Sequence, residues 1–379
     1  MSGQPARLLF LVSTLGFGGA EKHVVTLANC LDRSQFLCSL AYLKPQAPLV
    51  AQLDTAGLQT VVCLNVNSRM DFRALRKLTV LVDEQSIDVI VCVNEYPTVY
   101  AWLAARQARR RPKMVEIFHT TEFGTAKAEL QMVLYRQIIR RFDLLVYVSR
   151  NQQTYWRGRG LRARAEVVIH NGIDGSYFTD QYSRAQKRAL RDQYGFGGAD
   201  FVIGICASLR REKAHGDLLQ AIAMLRARNI NARCLIIGDG PERGRIEQMC
   251  SKLGLDAAVA IAGFQQDVRP LVASCDVMAL VSHAVETFSI AALESMALGK
   301  PMVQSRIGGA DEQIIDDQNG FLYKVGDIHA LARALTKLSD PARQARMGQS
   351  AREYVLRHFT QSAMIARYSE TLRAAAFGA

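Results

Sequence analysis

Short apolar runs alternate with helical stretches in two successive series along this chain, and that rhythm restricts the fold more than any other feature. In the first series the apolar runs fall at residues 8–12, 37–42, 59–64, 89–93, 115–119, 144–148 and 167–169. After Asn171 the rhythm restarts, at residues 202–206, 234–237, 259–262, 277–281, 302–304 and 321–323. Apolar runs of this length, most of them separated by helical segments, predict parallel strands covered by helices on both faces. The expected architecture is therefore α/β, with two Rossmann-like domains. The 379 residues, 49% hydrophobic and 22% charged, suffice for two cores. The polar stretch 181–198 reads as a peripheral entry to the second domain, and Met364, Ile365, Tyr368 and Leu372 predict a final helix with one buried face.

Several classes are excluded by composition. No apolar run approaches the roughly 20 residues needed to span a bilayer, and the opening residues lack the apolar region of a signal peptide. The eight cysteines are scattered through mostly apolar segments without a C-x-x-C spacing, which reads as buried thiols in a reducing cytoplasm. No D-x-D-type metal loop is visible, so no metal is expected.

Two segments carry chemistry. Glu286 and Glu294 are separated by seven residues, and the second lies in an apolar helix that begins near Phe288. The free N–H groups of Phe288, Ser289 and Ile290 at that helix start would cradle an anion, with the helix dipole assisting. An anion cradle beside two hydroxyl acceptors suits a nucleotide sugar. Arg210 and Lys213 follow the apolar strand 201–207, at the strand end where open α/β sheets bind ligands. Each segment also has a plainer reading: glutamates eight apart occur on any amphipathic helix, and a basic loop can simply be solvated. Gly18 and Gly19 follow the first strand, where the missing Cβ allows backbone to approach a diphosphate or to make a tight turn.

Taken together, Gly16-Phe17-Gly18-Gly19-Ala20-Glu21, Val168-Ile169-His170-Asn171-Gly172-Ile173-Asp174, Arg210 with Lys213, Gly238-Asp239-Gly240-Pro241, Gly263-Phe264 and the Glu286/Glu294 pair stand in a characteristic order. They resemble the retaining glycosyltransferases of family 4, over nearly the whole chain. The resemblance implies a GT-B fold: two Rossmann-like domains facing across a cleft, with the C-terminal helix crossing back to the N-terminal domain. It places an acceptor-side domain at residues 1–174, a nucleotide-sugar domain at 175–357 and the returning helix at 358–379. By the same resemblance Arg210 and Lys213 hold the diphosphate and neutralise the leaving group, Glu286 contacts the transferred sugar, and His119 lies near it. Glu294 takes the ribose hydroxyls, while Gly18, Gly19, Gly240, Phe264, Phe288, Ser289 and Ile290 complete the donor site. Ser289 departs from the Gly or Pro common in the family, which puts the donor's orientation in question.

The activity implied is metal-independent transfer of a hexose-type sugar, with retention, from a nucleotide-diphosphate sugar to an acceptor hydroxyl. No cofactor is implied, and a UDP-sugar is favoured over a GDP-sugar. The acceptor would be a glycan or lipid-linked molecule of a bacterial cell surface, as in lipopolysaccharide, capsule or exopolysaccharide synthesis. A GT-B nucleotide-sugar epimerase or hydrolase, and a catalytically silent sugar-nucleotide-binding subunit, are the competing readings. The formal net charge is +12, with the excess on the acceptor side at Arg106, Arg109, Arg110, Arg111, Arg136, Arg140 and Arg141. Such a face suits peripheral contact with the anionic inner surface of the cytoplasmic membrane; no nucleic-acid module accompanies it.

Overall fold

The computed structural model describes residues 4–68, 70–121 and 126–378, with side chains from 131 onward in the helix that begins at Ala126. Seven strands of the first series form one parallel sheet: β1 (Ala6–Val12), β2 (Phe36–Tyr42), β3 (Thr60–Cys63), β4 (Val89–Val93), β5 (Lys113–Phe118), β6 (Leu144–Tyr147) and β7 (Ala165–Val168). Six of the second form another: β8 (Phe201–Cys206), β9 (Ala232–Ile237), β10 (Val259–Gly263), β11 (Val277–Leu280), β12 (Met302–Ser305) and β13 (Gly320–Tyr323). All thirteen expected runs are strands, with no end shifted by more than two residues. The chain divides into two compact units, Met1–Asn171 with Ser362–Ala379, and Gly172–Gln361.

Burial explains why the strands were visible. Leu8, Leu9, Phe10 and Leu11 are fully buried in β1, and Ile203 and Ile205 in β8, because helices cover both faces of each sheet. Each such side chain contributes roughly 1.5–3 kcal/mol by leaving water. Strand order is β3-β2-β1-β4-β5-β6-β7 in the first sheet and β10-β9-β8-β11-β12-β13 in the second. Both orders reverse direction once, between β1 and β4 and between β8 and β11. At such a point neighbouring connections depart to opposite faces and leave a crevice at the carboxyl ends of the strands.

One helix was missed within the polar entry segment. Arg184–Gln193 has no fully buried residue and only Ala185, Ala189 and Leu190 as apolar residues, yet Ser183 and Gln186 form a capping box that marks its start. The final helix, Gln361–Phe377, buries Met364, Tyr368 and Leu372. From Ser362 onward it belongs to the first unit. There Tyr368 meets His23 edge-on at 5.2 Å, and His23 meets His119 at 5.1 Å. In the second unit Ile173 pairs with Thr360: Ile173 N–H donates to Phe359 at 2.8 Å, and Gln361 N–H donates to Ile173 at 2.9 Å. Among the described residues no helix is long and apolar enough to cross a membrane.

The histidine pair, His23 buried and His119 half-buried, has a pH consequence. Burial pushes His119 down to about 4, and burial followed by the nearby His119 lowers His23 as well. Both are neutral when folded, whereas the unfolded chain takes up protons near 6.5. Between about pH 6.5 and 4 the unfolded state therefore binds more protons, so stability falls as pH falls. Denaturant titrations at pH 7.5 and 4.5 should show a loss on the order of 2–3 kcal/mol that His119→Gln reduces. An unchanged loss in that variant would remove His119 from the effect.

Candidate active site

The second sheet reverses between β8 and β11, and the loops leaving those two strands carry the principal charged residues. Beyond β8 the chain passes through a short 3-10 turn, Arg211–Lys213, into the helix His215–Arg226. Beyond β11 it runs through Ser282 and Glu286 to the helix Ile290–Ala297. Lys213 Nζ forms an ion pair with Glu286 Oε1, and both side chains are largely buried. Ser282 Oγ donates to the same carboxylate oxygen at 3.0 Å. Two residues 73 positions apart are thus joined at the crevice. His215 is buried just behind them, where desolvation and then the Lys213 charge push it down to about 4. It is neutral near pH 7 and leaves Lys213 as the cation of the pair.

At the helix start the Ser289 N–H departs from expectation. Ser289 is the N-cap, and its Oγ accepts from the Ala292 N–H at 3.2 Å. Its own N–H, expected to face a phosphate, donates instead to Gln313 Oε1 at 3.3 Å, while Gln313 Nε2 returns a bond to the Ser289 carbonyl at 2.8 Å. The reason is Ser289's burial, since a buried N–H needs a partner. Ile290 and Ala291 therefore offer the first-turn N–H groups left for an anion. Serine suits this place because its hydroxyl caps the helix, which neither Gly nor Pro can do. Phe288 is buried, its ring 5.1 Å from that of Phe359. Glu294 sits in the second turn and is 6% exposed.

The other expected donor residues are placed as follows. Arg210 is exposed and has no ion pair among the described residues. Gly240 lies where the β9 loop presses on the β8 loop: a Cβ there would stand 2.6 Å from the Leu209 carbonyl oxygen. Leu209 N–H donates to the Asp239 carbonyl at 3.0 Å and the Leu209 carbonyl accepts from the Glu242 N–H at 2.9 Å, so this glycine fixes the loop that leads to Arg210. Phe264 follows β10 and is half exposed. In the first unit Gly18 precedes the helix Gly19–Cys30, and His119 N–H donates to Asn94 Oδ1 at 3.0 Å. A cavity of about 30 Å³ lies there at the β1/β4 reversal, bounded by Val12, Ser13, Ala20, Glu21, Val93 and Asn94.

Sequence reasoning missed Ser282, Gln313 and the pair Gly308-Gly309. Gly309 N–H donates to Thr287 at 2.7 Å and pins the Glu286 loop. Two adjacent glycines after an apolar strand were the available signal. Also unforeseen is backbone strain: Ala214 (φ +49°) and Val285 (φ +60°) adjoin Lys213 and Glu286. Left-handed backbone costs an L-residue about 1–2 kcal/mol, and for a β-branched residue it is rare. Val285→Gly should raise the unfolding free energy by about 0.5–1 kcal/mol after glycine's entropic penalty. A denaturant midpoint that falls instead would mean that Val285 packing outweighs the strain.

Known proteins share both units. The family model for glycosyl transferases group 1 matches residues 186–354, and that for Glycosyltransferase Family 4 matches residues 17–177. A Bacillus subtilis (strain 168) protein named as glycosyltransferase EpsD is 30% identical over 291 residues, covering 74% of this chain and 75% of its own. N-acetyl-alpha-D-glucosaminyl L-malate synthase of Bacillus anthracis is 27% identical, over 79% of this chain and 77% of its own. Among solved structures, HepE of Anabaena in complex with UDP aligns with a TM-score of 0.84 at 25% identity, over 97% of this chain and 100% of its own. With both units matched in this way, the chain belongs to family 4 of the glycosyltransferases, with the GT-B fold.

Proposed function

We propose that this glycosyltransferase moves a hexose-type sugar from a UDP-sugar to an acceptor hydroxyl, with retention of configuration and without a divalent metal. The observation that carries the reading is Lys213 at the β8/β11 reversal, paired with Glu286 beside a helix start. In that place a lysine can exchange its carboxylate for the diphosphate and neutralise charge that grows as the sugar's C–O bond breaks. Glu286, freed from the lysine, accepts hydrogen bonds from sugar hydroxyls. Glu294 takes the ribose hydroxyls, and Arg210, Ile290 and Ala291 meet the phosphates. The leaving phosphate accepts the acceptor's proton on the face from which it departs. HepE, crystallised in complex with UDP, supports a uridine donor, while the GDP-mannose-dependent mannosyltransferase of Mycolicibacterium smegmatis, 28% identical, keeps a GDP-sugar as the alternative. The lipopolysaccharide core biosynthesis glycosyltransferase LpsE of Rhizobium meliloti (strain 1021) and the colanic acid biosynthesis glycosyltransferase WcaL of Escherichia coli (strain K12) support a cell-surface glycan or lipid-linked acceptor.

A thermal-shift panel of nucleotides and nucleotide sugars tests the donor. UDP at 100 times its dissociation constant should add about 2.7 kcal/mol of stability. With the donor in hand, NMR of the product should show the donor's anomeric configuration, and transfer should persist in excess EDTA. Inversion or strict metal dependence would overturn those parts of the reading, and nucleotide release without a new glycosidic bond would favour an epimerase or hydrolase.

We further propose that the enzyme works against the inner face of the cytoplasmic membrane. In the helix Ala126–Ile139, Met132 packs inward but Val133 and Leu134 are exposed. Leu130 and Lys127, expected to contribute, lie outside the described side chains. Arg106 and Arg141 stack on Trp102 at 5.2 and 5.9 Å, and Arg140 is exposed. An apolar edge within a basic face suits anionic lipid. Co-sedimentation with anionic liposomes should exceed that with neutral ones and fall as salt rises; equal or absent binding to both would leave a solvated face.

A further inference from the structure

Among the described residues three links join the segments that follow β8 and β11, and a ligand competes for only one of them. The Lys213–Glu286 ion pair must open when a diphosphate draws the lysine away. The other two come from His283, which no motif singled out. Its backbone N–H donates to the Glu212 carbonyl at 2.8 Å, and its ring Nε2 lies 2.6 Å from Asp217 Oδ2. Asp217 is rigidly held in the first turn of the helix His215–Arg226, where its N–H bonds Ala214 at 2.9 Å and the helix dipole favours its charge. His283 stands three residues before Glu286, Asp217 four after Lys213.

We propose that His283 and Asp217 form a clasp that keeps the two loops in register once Lys213 has exchanged Glu286 for the donor's diphosphate. His283 is thus a positioning residue, acting on the donor through Lys213 and Glu286. The strained backbone at Ala214 and Val285 makes such a clasp necessary, because left-handed conformations at non-glycine residues persist only where the surroundings over-determine them. With the ion pair closed, the loops have three ties and tolerate the loss of one. With it open, the two made by His283 remain. The proposal rests on the nucleotide-diphosphate reading of the site.

The clasp should be visible in nucleotide binding more than in the melting of the free protein. In calorimetric titrations with UDP, His283→Ala and Asp217→Ala should each weaken affinity about tenfold, and the double variant should be no weaker than the poorer single one. His283→Gln, which retains a side-chain N–H for Asp217, should recover to within about threefold of wild type. The melting temperature of the free single variants should stay within a few degrees of wild type. UDP affinity within twofold of wild type in His283→Ala, multiplicative losses in the double variant, or no recovery with Gln would each overturn the clasp. Failure of the donor reading looks different, since the wild type would then bind neither UDP nor GDP. In that case the clasp proposal falls with it, because no diphosphate opens the ion pair.

Discussion

Lys213→Ala should lower turnover by about 10²-fold or more, measured as nucleotide release from the sugar nucleotide selected by the thermal-shift panel. A donor aimed at charge that develops in the transition state is worth on the order of 10²–10³ in rate, because the low-dielectric site amplifies it and no solvent must reorganise. The substitution also strips Glu286 of its ion-pair partner and leaves it with Ser282 alone among the bonds described above. Loss of turnover with an unchanged circular dichroism spectrum is the expected pair of results. Near-normal turnover in that folded variant would take Lys213 out of the mechanism.

Gly308→Ala should be comparably damaging although its side chain is one methyl group. Gly308 has φ +57°, and a Cβ there would lie 2.0 Å from the Glu286 carbonyl oxygen, 2.8 Å from its carbonyl carbon and 3.0 Å from the Thr287 oxygen. All three are backbone atoms, so no side chain can swing aside. The Glu286 loop would have to shift by about 1 Å, a misplacement that can cost 10²-fold. Strain of this kind should also remove on the order of 1–3 kcal/mol of stability. Turnover near the wild-type level in a soluble Gly308→Ala protein would show that the loop yields without harm to the site.

These two residues differ in how far they could be read from sequence. Lys213 declares itself as a cation just beyond a buried apolar strand, and parallel strands covered on both faces are conspicuous because nearly every residue in them is apolar. Gly308 does not, because its reason for being glycine is a backbone atom 22 positions away, across a strand boundary. Gln313 is hidden in the same way: its amide serves Ser289, 24 positions earlier, and turns an expected phosphate donor into an internal bond. The helix Arg184–Gln193 escaped for the opposite reason, since its half-buried face, Lys187, Leu190 and Arg191, is mostly polar. Local chemistry was legible, whereas contacts that depend on strand order became visible only when the order was known.

The pairing of Ile173 with Thr360 has a topological consequence. The second unit leaves and rejoins the rest of the chain at adjacent points, so residues 172–361 form a closed insert whose two ends are already stitched together. An insert of that kind closes its own loop in the parent fold. Opening the chain in an exposed turn of the second unit would leave that stitch intact. Gly172, whose Cβ would lie 2.5 Å from the Thr360 oxygen, is the position at which such rewiring has least freedom.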